Sequence, residues 1–367
     1  MVMKKALHIH SCGTDFTGVG NSGDYMLGPA TRHRFERKIL LKPEELEWHS
    51  REVKKVFDEE DVEIINSNFD YLIVGGGGLF LPDTCPNMRS GWQWNISVPN
   101  LKKIRIPIYV IAVGYNVFYG QNMGMPSKDN SRFEQERLDL FKESVETLID
   151  KSEYFSIRHR GDIRELKEIL DERVHEKIKF EFCPTIEFSK LLAKQHNMKR
   201  ASNSPPVWAF EIKGDRPNRR YLDMKEKDFL EEMYRFFLYA HKLGKDVRVL
   251  LHDGLHPFLS FLKSKGLPVK IINNSAVGLS SGNPTQIVEN FLNVDVLFCT
   301  AGHSQMIGHS LGCKTISLIT HNKLKYFLQD IGEYEPNNYV DVNNENVYEK
   351  LKEISSNLIK NENQNNS

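Results

Sequence analysis

The sequence predicts an α/β protein with two Rossmann-like lobes, whose parallel sheets face a central cleft. Three observations lead to this prediction. The chain has 367 residues, more than the roughly 250–300 residues that one hydrophobic core usually organises. Short apolar runs alternate with helical patterns, as they do in parallel sheets covered by helices on both faces. A polar stretch with two adjacent prolines, residues 197–206, interrupts the alternation and is typical of a linker.

The first lobe is predicted over residues 1–198. Its apolar runs predict four strands: Ala6–His10, Tyr71–Val74, Ile106–Val113 and Tyr154–Ile157. Four glycines follow Val74 and are expected to end the second strand. A helix is predicted over Arg132–Asp150, where apolar residues recur every three or four positions. These positions are Leu138, Phe141, Val145 and Leu148.

The second lobe is predicted over residues 206–335. Its five predicted strands are Val207–Glu211, Val247–Leu251, Val269–Ile272, Val294–Cys299 and Thr315–Ile319. A long helix is expected over Lys225–Leu243. Apolar residues at helical spacing predict a last helix over residues 345–360. Residues 361–367 are polar and are predicted to form a flexible tail.

Charge and composition exclude several classes of protein. The 49 basic and 49 acidic residues give no net charge, which argues against general nucleic-acid binding. The amino terminus lacks the apolar stretch of a secretory signal, and no window approaches the ~18 apolar residues of a membrane span. We therefore expect a cytoplasmic protein without transmembrane segments. Five widely spaced cysteines with no CxxC pair predict neither a disulfide framework nor a zinc site.

Two glycine-rich segments follow predicted strands, where parallel sheets bind their ligands. Gly18–Asp24 precedes a helix, and free amides at a helix amino terminus favour an anion. A plain turn capped by Asp24 is the alternative. Gly75–Gly78 is costly in conformational entropy, since glycine loses the most freedom on folding. This second run therefore indicates a ligand, or another loop, that requires a bare backbone.

Polar residues follow two further strands of the first lobe. Asn116 comes after the third strand and could reach a ligand or simply form a turn. Arg158 and Arg160 flank His159 after the fourth, and arginine binds carboxylate or phosphate with two prongs. In an extended segment the two arginines would share one face. The alternative is a solvated, charged strand end.

The second lobe has a histidine-containing loop, Thr300–Ser304, between a predicted strand and a predicted helix. Ser304 or Thr300 could cap that helix. His303 would lie at the helix entrance, where an imidazole can give or take a proton, or it could simply pack. Lys323 follows the next strand and could meet an anion, although a surface lysine is the default.

Two other sets of side chains are weaker candidates for binding residues. Three residues follow the strand that ends at Leu251 and could hold a metal ion: His252, Asp253 and His256. Three aromatic residues could stack on a sugar or serve in ordinary packing: Trp92, Trp94 and Tyr119.

In their order along the chain, these segments resemble the polysaccharide pyruvyl transferase family. The family has an Asn-x-Gly-Asp segment (here NSGDYML), a strand running into glycines (YLIVGGGGLF) and a Ser-x-Arg segment (FSIRHRGD). It ends with a histidine loop, helix, turn, strand and lysine, here AGHSQMIGHSLGCKTISLITHNK. The resemblance covers about residues 1–330, and it is the order of the motifs that makes it specific.

The resemblance implies a GT-B-like fold and phosphoenolpyruvate as the donor, from which a pyruvate ketal is placed on a saccharide of a surface polysaccharide such as a capsule. It implies that Arg158 holds the donor anion, that His303 transfers a proton and that Asp24 lies on the cleft floor. The predicted donor-binding residues are Asn21, Gly23, Gly76, Gly77, Gly78, Asn116, Arg160, Ser304 and Lys323. Neither a cofactor nor a metal is required, and the acceptor could be lipid- or nucleotide-linked.

Three positions depart from the family pattern. Ala301 stands where members commonly have arginine, His159 where aspartate is frequent, and Cys313 where the later turn has proline. Arg160, Lys323 or His159 could supply the missing charge. A GT-B-type glycosyltransferase with a nucleotide-sugar donor is the alternative that the missing arginine favours. A binding or regulatory protein that has lost catalysis is a third interpretation.

Overall fold

A computed structural model describes residues 3–11, 22–82, 87–116, 131–221, 224–254, 256–275 and 283–365, with side chains omitted for 131–134 and 361–365. These residues form two compact units. The first contains the described residues up to Phe188, and the second contains those from Ser189 onward together with Ser22 and Gly23. Each unit holds a six-stranded sheet, which confirms the predicted α/β class with two Rossmann-like lobes. The limits at residues 198 and 206 stay a prediction.

The sheet of the first unit is parallel throughout, with the strand order β2-β1-β3-β4-β5-β6. Its strands are β1 (Lys4–His10), β2 (Leu46–Glu52), β3 (Tyr71–Phe80), β4 (Ile108–Tyr115), β5 (Ser152–Ile157) and β6 (Ile178–Phe180). Its helices are α1 (Ser22–Ile39), α2 (Glu59–Asn68), α3 (Val98–Lys103), α4 (Ser131–Lys151), α5 (Arg160–Ile169) and α6 (Pro184–Gln195), with short 3-10 turns at Pro43–Glu45 and Glu172–Lys177. The central strands are apolar because helices cover both faces of the sheet.

The sheet of the second unit is also parallel, with the order β12-β11-β10-β7-β8-β9. Its strands are β7 (Val207–Glu211), β8 (Asp246–Leu251), β9 (Lys270–Asn273), β10 (Val296–Cys299), β11 (Lys314–Ile319) and β12 (Tyr339–Asp341). Its helices are α7 (Pro217–Arg220), α8 (Glu226–Lys242), α9 (Pro257–Ser264), α10 (Pro284–Leu292), α11 (Gly302–Ser310), α12 (Asn322–Asp330) and α13 (Val347–Asn365).

Helix α8 shows how the apolar pattern builds the second core. Its buried side chains recur at helical spacing, so they form one face: Phe229, Leu230, Met233, Phe236, Phe237 and Ala240. Phe236 packs against Trp208 of β7 and Phe298 of β10, with ring centres 6.3 and 5.1 Å away. This contact joins the helix to the middle of the sheet.

The structure differs from the sequence prediction in five elements. The strand predicted to stop at Val74 continues through the glycines to Phe80. The sequence did not predict strands β2, β6 and β12. Strands β6 and β12 have only three residues each, which is too few to show a hydrophobic period, and β2 is only half-buried along most of its length. The last helix runs to Asn365, past the start of the predicted tail. Once formed, a helix gains one backbone hydrogen bond for each added residue, so polar residues can extend it.

Helix length and cysteine state are two further features of the described residues. No helix within the described ranges is both long and apolar enough to cross a lipid bilayer. Cys183, Cys299 and Cys313 are buried free thiols, whereas Cys12 and Cys85 lie outside the described residues.

Candidate functional site

Each described sheet reverses its strand order beside its first strand. In the first unit β1 pairs with β2 on one side and with β3 on the other. In the second unit β7 pairs with β8 on one side and with β10 on the other. The connections leaving such a strand diverge to opposite sides, which opens a crevice beyond the carboxyl ends where α/β proteins bind ligands.

The glycine run of the first unit lies at the end of β3. Gly75 and Gly77 have φ angles of 133° and 93°, a region that only glycine enters at little cost. A Cβ atom at Gly77 would lie 2.7 Å from Cδ2 of Leu27, and one at Gly76 would lie equally close to Leu27 Cδ1. The run must therefore be glycine both for its backbone angles and for its close contact with α1.

Hydrogen bonds from side chains hold this run in place. His8 Nε2 donates to the carbonyl of Gly75 (2.5 Å), the amide of Gly76 donates to Thr31 Oγ1 (3.3 Å), and Gln93 Nε2 donates to the carbonyl of Gly78 (2.7 Å). Burial and the nearby His10 and Arg32 keep the pKa of His8 well below its usual value. The His8 ring is therefore neutral at pH 7, with its proton on Nε2. The result is an ordered, bare backbone at the edge of the sheet.

Arg158 and Asn116 lie against two glycines beside this run. Arg158 Nη2 donates to Asn116 Oδ1 over 3.0 Å. A Cβ atom at Gly114 would lie 2.6 Å from Cζ of Arg158, and one at Gly78 would lie 2.9 Å from Cγ of Asn116. The structure therefore brings together residues from β3, the end of β4 and the end of β5, as the sequence motifs predicted.

The guanidinium of Arg158 has open hydrogen-bonding capacity. The side chain is fully buried, and its Nε and Nη1 atoms have no hydrogen-bond partner among the described residues. A buried donor left unsatisfied typically costs about 1–3 kcal/mol. A fixed, permanently charged fork with open donors is suited to a carboxylate or phosphate oxygen.

The end of β4 is shaped by an irregularity that the sequence did not reveal. Ala112 has a φ of 46°, and the pairing of β4 with β5 shifts register around it. Its amide donates to Ser156 Oγ (2.9 Å), and the Ser156 hydroxyl bonds Glu181 Oε2 (2.8 Å). The amide of Tyr115 donates to Asp162 Oδ2 (3.1 Å). These contacts fix the backbone that leads into Asn116.

The two arginines after β5 separate in space. β5 ends at Ile157, and Arg160 is the first residue of α5, exposed, with Cζ 3.9 Å from the ring centre of Phe180. Arg158 is buried, as is His159. The prediction that Arg158 and Arg160 share one face is therefore wrong, because the chain turns into a helix between them.

Other predicted residues of the first unit lie elsewhere. Asp24 is half-buried in the first turn of α1, where a carboxylate complements the helix dipole. Trp92 and Trp94 are fully buried, and Trp92 Nε1 bonds Ser144 Oγ over 3.0 Å. Their packing role is confirmed, and sugar stacking by them is wrong. Asn21 and Tyr119, together with residues 12–20, lie outside the described residues.

In the second unit, the histidine loop leads from β10 into α11. The N-cap is Ala301, whose side chain makes no capping bond, so the predicted capping by Ser304 or Thr300 is wrong. His303 is 8% exposed in the first turn. Ser304 is buried, with Oγ 3.0 Å from Nδ1 of His252. The structure thus places His252, which had no firm role in the sequence, beside the predicted site.

Ser22 and Gly23, which group with the second unit, meet the same histidines. Ser22 Oγ lies 2.7 Å from His252 Nδ1, and the Ser22 amide donates to the His252 carbonyl over 2.9 Å. A Cβ atom at Gly23 would overlap the ring of His303. The predicted donor-binding Gly23 and the predicted proton-transfer His303 are therefore neighbours, and a larger residue than glycine would displace the imidazole.

Basic side chains surround the start of α11. The Lys323 side chain crosses Gly302, where a Cβ atom would lie 2.5 Å from its Cε. Lys213 Nζ lies 3.1 Å from Asp253 Oδ2. Burial first, and then the Lys213 charge, hold the pKa of His252 well below its usual value. His252 is therefore neutral at pH 7 and can hydrogen-bond hydroxyl groups.

Arg220 and His321 are further buried groups at this edge. Arg220 Nη2 bonds Asp215 Oδ1 (2.7 Å), and its Nη1 donates to Thr320 Oγ1 (3.0 Å). Burial, followed by the charge of Arg220, lowers the pKa of His321 well below its usual value. The described residues contain no group of three His, Cys, Asp or Glu side chains arranged to hold a metal ion.

Glu211, the last residue of β7, is the main feature that the sequence reasoning missed. Its Oε2 accepts the amides of Thr300 (3.1 Å) and Ala301 (2.8 Å). Burial, with a smaller effect of Asp253, raises its pKa to about 7, although Lys213 and the Ala301 amide oppose the shift. The only signal in the sequence is a glutamate that ends an otherwise apolar strand.

Paired parallel sheets with polar and basic side chains beyond their carboxyl ends define a GT-B-like α/β protein. The structure resembles a putative UDP-N-acetylglucosamine 2-epimerase from Listeria monocytogenes, with a TM-score of 0.54, 10% identity and coverage of 97% of this chain and 89% of that one. A UDP-GlcNAc 2-epimerase of Methanocaldococcus jannaschii gives a TM-score of 0.49, with 13% identity and coverage of 96% and 92%. Staphylococcus aureus MnaA gives 0.48, with 11% identity and coverage of 96% and 88%. At 10% identity, the similarity to the Listeria monocytogenes protein shows the fold alone.

The family is shown by the sequence itself. Residues 21–322 match the model of the polysaccharide pyruvyl transferase family. The chain therefore belongs to that family and is a transferase. It matches none of the curated proteins with which it was compared.

Proposed function

We propose that this protein transfers a pyruvyl group from phosphoenolpyruvate to a saccharide. The observation that carries the donor assignment is the buried guanidinium of Arg158, whose Nε and Nη1 have no hydrogen-bond partner among the described residues. Phosphoenolpyruvate has a carboxylate and a phosphate, and oxyanions of both kinds accept paired N–H bonds from arginine. Binding would satisfy the donors that folding leaves open.

The roles are assigned within each unit. In the first, Arg158 and Asn116 would hold the donor anion beside the bare backbone of Gly76–Gly78. In the second, His303 would supply the proton, with Ser304 and Lys323 as donor-binding neighbours. Asp24, Asn21, Gly23 and Arg160 keep their predicted roles as expectations of the family resemblance.

The proposed chemistry has two steps. The oxygen of one saccharide hydroxyl bonds to C2 of phosphoenolpyruvate and releases its proton to solvent, while the C3 methylene gains a proton from His303 and becomes a methyl group. His303 then regains a proton from solvent, so the addition is proton-neutral. The oxygen of a second hydroxyl then bonds to C2 as the C–O bond to phosphate breaks, and its proton leaves with the phosphate. The products are a pyruvate ketal and inorganic phosphate, and the reaction involves no net oxidation or reduction. Held donors and acceptors lower the barrier through position and charge.

Ligand-dependent thermal stability tests the donor. A ligand that binds only the folded state raises the melting temperature by mass action. We expect phosphoenolpyruvate to stabilise the wild type but not R158K, because lysine lacks the planar guanidinium that binds oxyanions with two hydrogen bonds. R105K is the control and should be stabilised like the wild type, because Arg105 is exposed and pairs with Glu63 at 3.4 Å. Stabilisation by nucleotide sugars alone would contradict the proposal. It would favour the glycosyltransferase alternative, for which alanine at 301 is the supporting observation.

Turnover tests the role of His303. Phosphate release from phosphoenolpyruvate, assayed with lipid- or nucleotide-linked saccharides, should fall roughly a hundredfold or more in H303A if general acid catalysis is lost. H309A is the matched control, because His309 lies near the other end of α11 and packs edge-to-face against Phe327 with ring centres 5.5 Å apart. Wild-type turnover in H303A with a normal melting temperature would remove His303 from the mechanism.

A further inference from the structure

Hydrogen bonds tie the end of β7 to the loop that follows β10. The Thr300 amide donates to both the main-chain carbonyl of Glu211 (3.1 Å) and Glu211 Oε2 (3.1 Å), and the Ala301 amide donates to the same Oε2 over 2.8 Å. In return, Thr300 Oγ1 accepts the amide of Lys213 over 2.8 Å. The loop is therefore fixed to β7 by a side chain as well as by the main chain.

These bonds occur where the sheet stops providing partners. The β7–β10 register ends at the pair Glu211 and Cys299, and α11 begins at Gly302. The two residues between, Thr300 and Ala301, are 0% and 3% exposed. Their amides are thus shielded from water and need an acceptor from the protein. Glu211, which is 1% exposed, supplies it.

The surroundings of Glu211 come from several elements. Lys213, Asp253 and Arg220 influence its carboxyl group through their charges, and Glu211 in turn influences the buried Cys299 and Tyr221. Lys213 also pairs with Asp253 at 3.1 Å. The carboxyl group is therefore part of a packed polar network and is directed at the start of the helix.

We propose that Glu211 is a positioning residue for the transfer reaction: it orders the Thr300–Ala301 turn and thereby the first turn of α11, which bears His303 and Ser304. The inference rests on the proposed function of His303. Glu211 acts through the backbone, since its contacts are with two amides. Loss of the carboxyl acceptor would leave the buried Ala301 amide unpaired and the Thr300 amide with the main-chain carbonyl of Glu211 alone. The turn could then move, and small displacements of a catalytic group can lower the rate substantially.

Three substitutions separate this role from a contribution to folding alone. E211L keeps the approximate size of the side chain and removes the acceptor. E211Q restores an oxygen that can accept both amides. E231Q is the control, because Glu231 is an exposed residue paired with Lys265 at 3.0 Å. Melting temperature, kcat, KM for phosphoenolpyruvate and hydrogen exchange of the Thr300 and Ala301 amides are measured for each variant.

We expect kcat of E211L to fall roughly ten- to a hundredfold, with KM changed about threefold or less. E211Q should recover kcat to within about threefold of the wild type, and E231Q should match it. A folded E211L with wild-type kcat overturns the inference, and so does an E211Q that is as impaired as E211L. If E211L does not fold, E211D replaces it, since the shorter carboxylate cannot reach both amides from the same backbone.

Hydrogen exchange keeps the test independent of the donor assignment. If the wild type transfers no pyruvyl group, the proposed function fails, but the two amides still report on Glu211. Exchange at the Ala301 amide, which loses its acceptor in E211L, that is about tenfold faster in E211L than in E211Q supports the ordering of the turn. Equal protection in the two variants overturns it.

Discussion

Replacing Arg158 with methionine should stabilise the fold while removing donor binding. The native side chain is fully buried and leaves Nε and Nη1 without partners among the described residues, and it makes one side-chain hydrogen bond, to Asn116 at 3.0 Å. Two unsatisfied donors cost about 1–3 kcal/mol each, and the single bond contributes about 1 kcal/mol. Apolar replacements of buried ionic groups are often neutral or stabilising by roughly 1–4 kcal/mol. We therefore expect the free energy of unfolding to rise by about 1–4 kcal/mol in R158M.

The assay is chemical denaturation of the purified protein without ligand, repeated with phosphoenolpyruvate. R105M is the control for loss of a positive charge, since the Arg105 side chain is 70% exposed and surface changes usually alter stability by less than about 0.5 kcal/mol. R158M should be more stable than the wild type without ligand and should gain nothing from phosphoenolpyruvate. Lower stability of R158M would show that the folded protein already satisfies this guanidinium, and the argument for an anion site there would fail.

Three further predictions use thermal or chemical denaturation, and the first two follow stability across pH. Burial and Arg32 lower the pKa of His10 from 6.5 to about 4. Unfolded chains then bind the proton first, so up to about 3 kcal/mol of stability is lost as pH falls from 6.5 to 4, and H10Q should flatten that loss. The pH dependence contributed by Glu211 has the opposite sign. Because its pKa is raised from 4.5 to about 7, its contribution to stability is present below pH 4.5 and is lost as pH rises to about 7. E211Q should therefore be up to about 3 kcal/mol more stable than the wild type at pH 8, but should differ little from it at pH 4. G114A should cost roughly 1–3 kcal/mol by crowding the guanidinium of Arg158, and much less in an R158A background; equal costs in both backgrounds would contradict the contact.

The departure of Ala301 from the family pattern has a structural setting. Ala301 is the N-cap of α11, its side chain is buried, and its amide is held by Glu211. Lys323 crosses the neighbouring Gly302 and thus brings a positive charge to the same helix end. Of the three substitutes that the sequence suggested for the missing arginine, Lys323 lies beside the loop, whereas Arg160 contacts Phe180 in the first unit.

Local patterns in the sequence determined many of the strands, the position of several motifs and the family. Apolar runs located five of the six strands of the second sheet, because a buried parallel strand must be apolar along its whole length. Asn116, Arg158 and His303 were expected to follow strands, and they lie just beyond the ends of β4, β5 and β10. The order of these motifs was enough to identify the family.

Tertiary structure decided what each side chain does. Arg158 is buried and Arg160 exposed although they are two residues apart, because the chain enters a helix between them. The bulge at Ala112 and the bond from Glu211 to the Thr300–Ala301 loop join residues 44 and 89–90 positions apart in sequence. Periodicity reports only whether a residue faces a core, because it is set by the geometry of a single element. Which partner completes a buried polar group depends on how distant elements pack, and no local pattern records that.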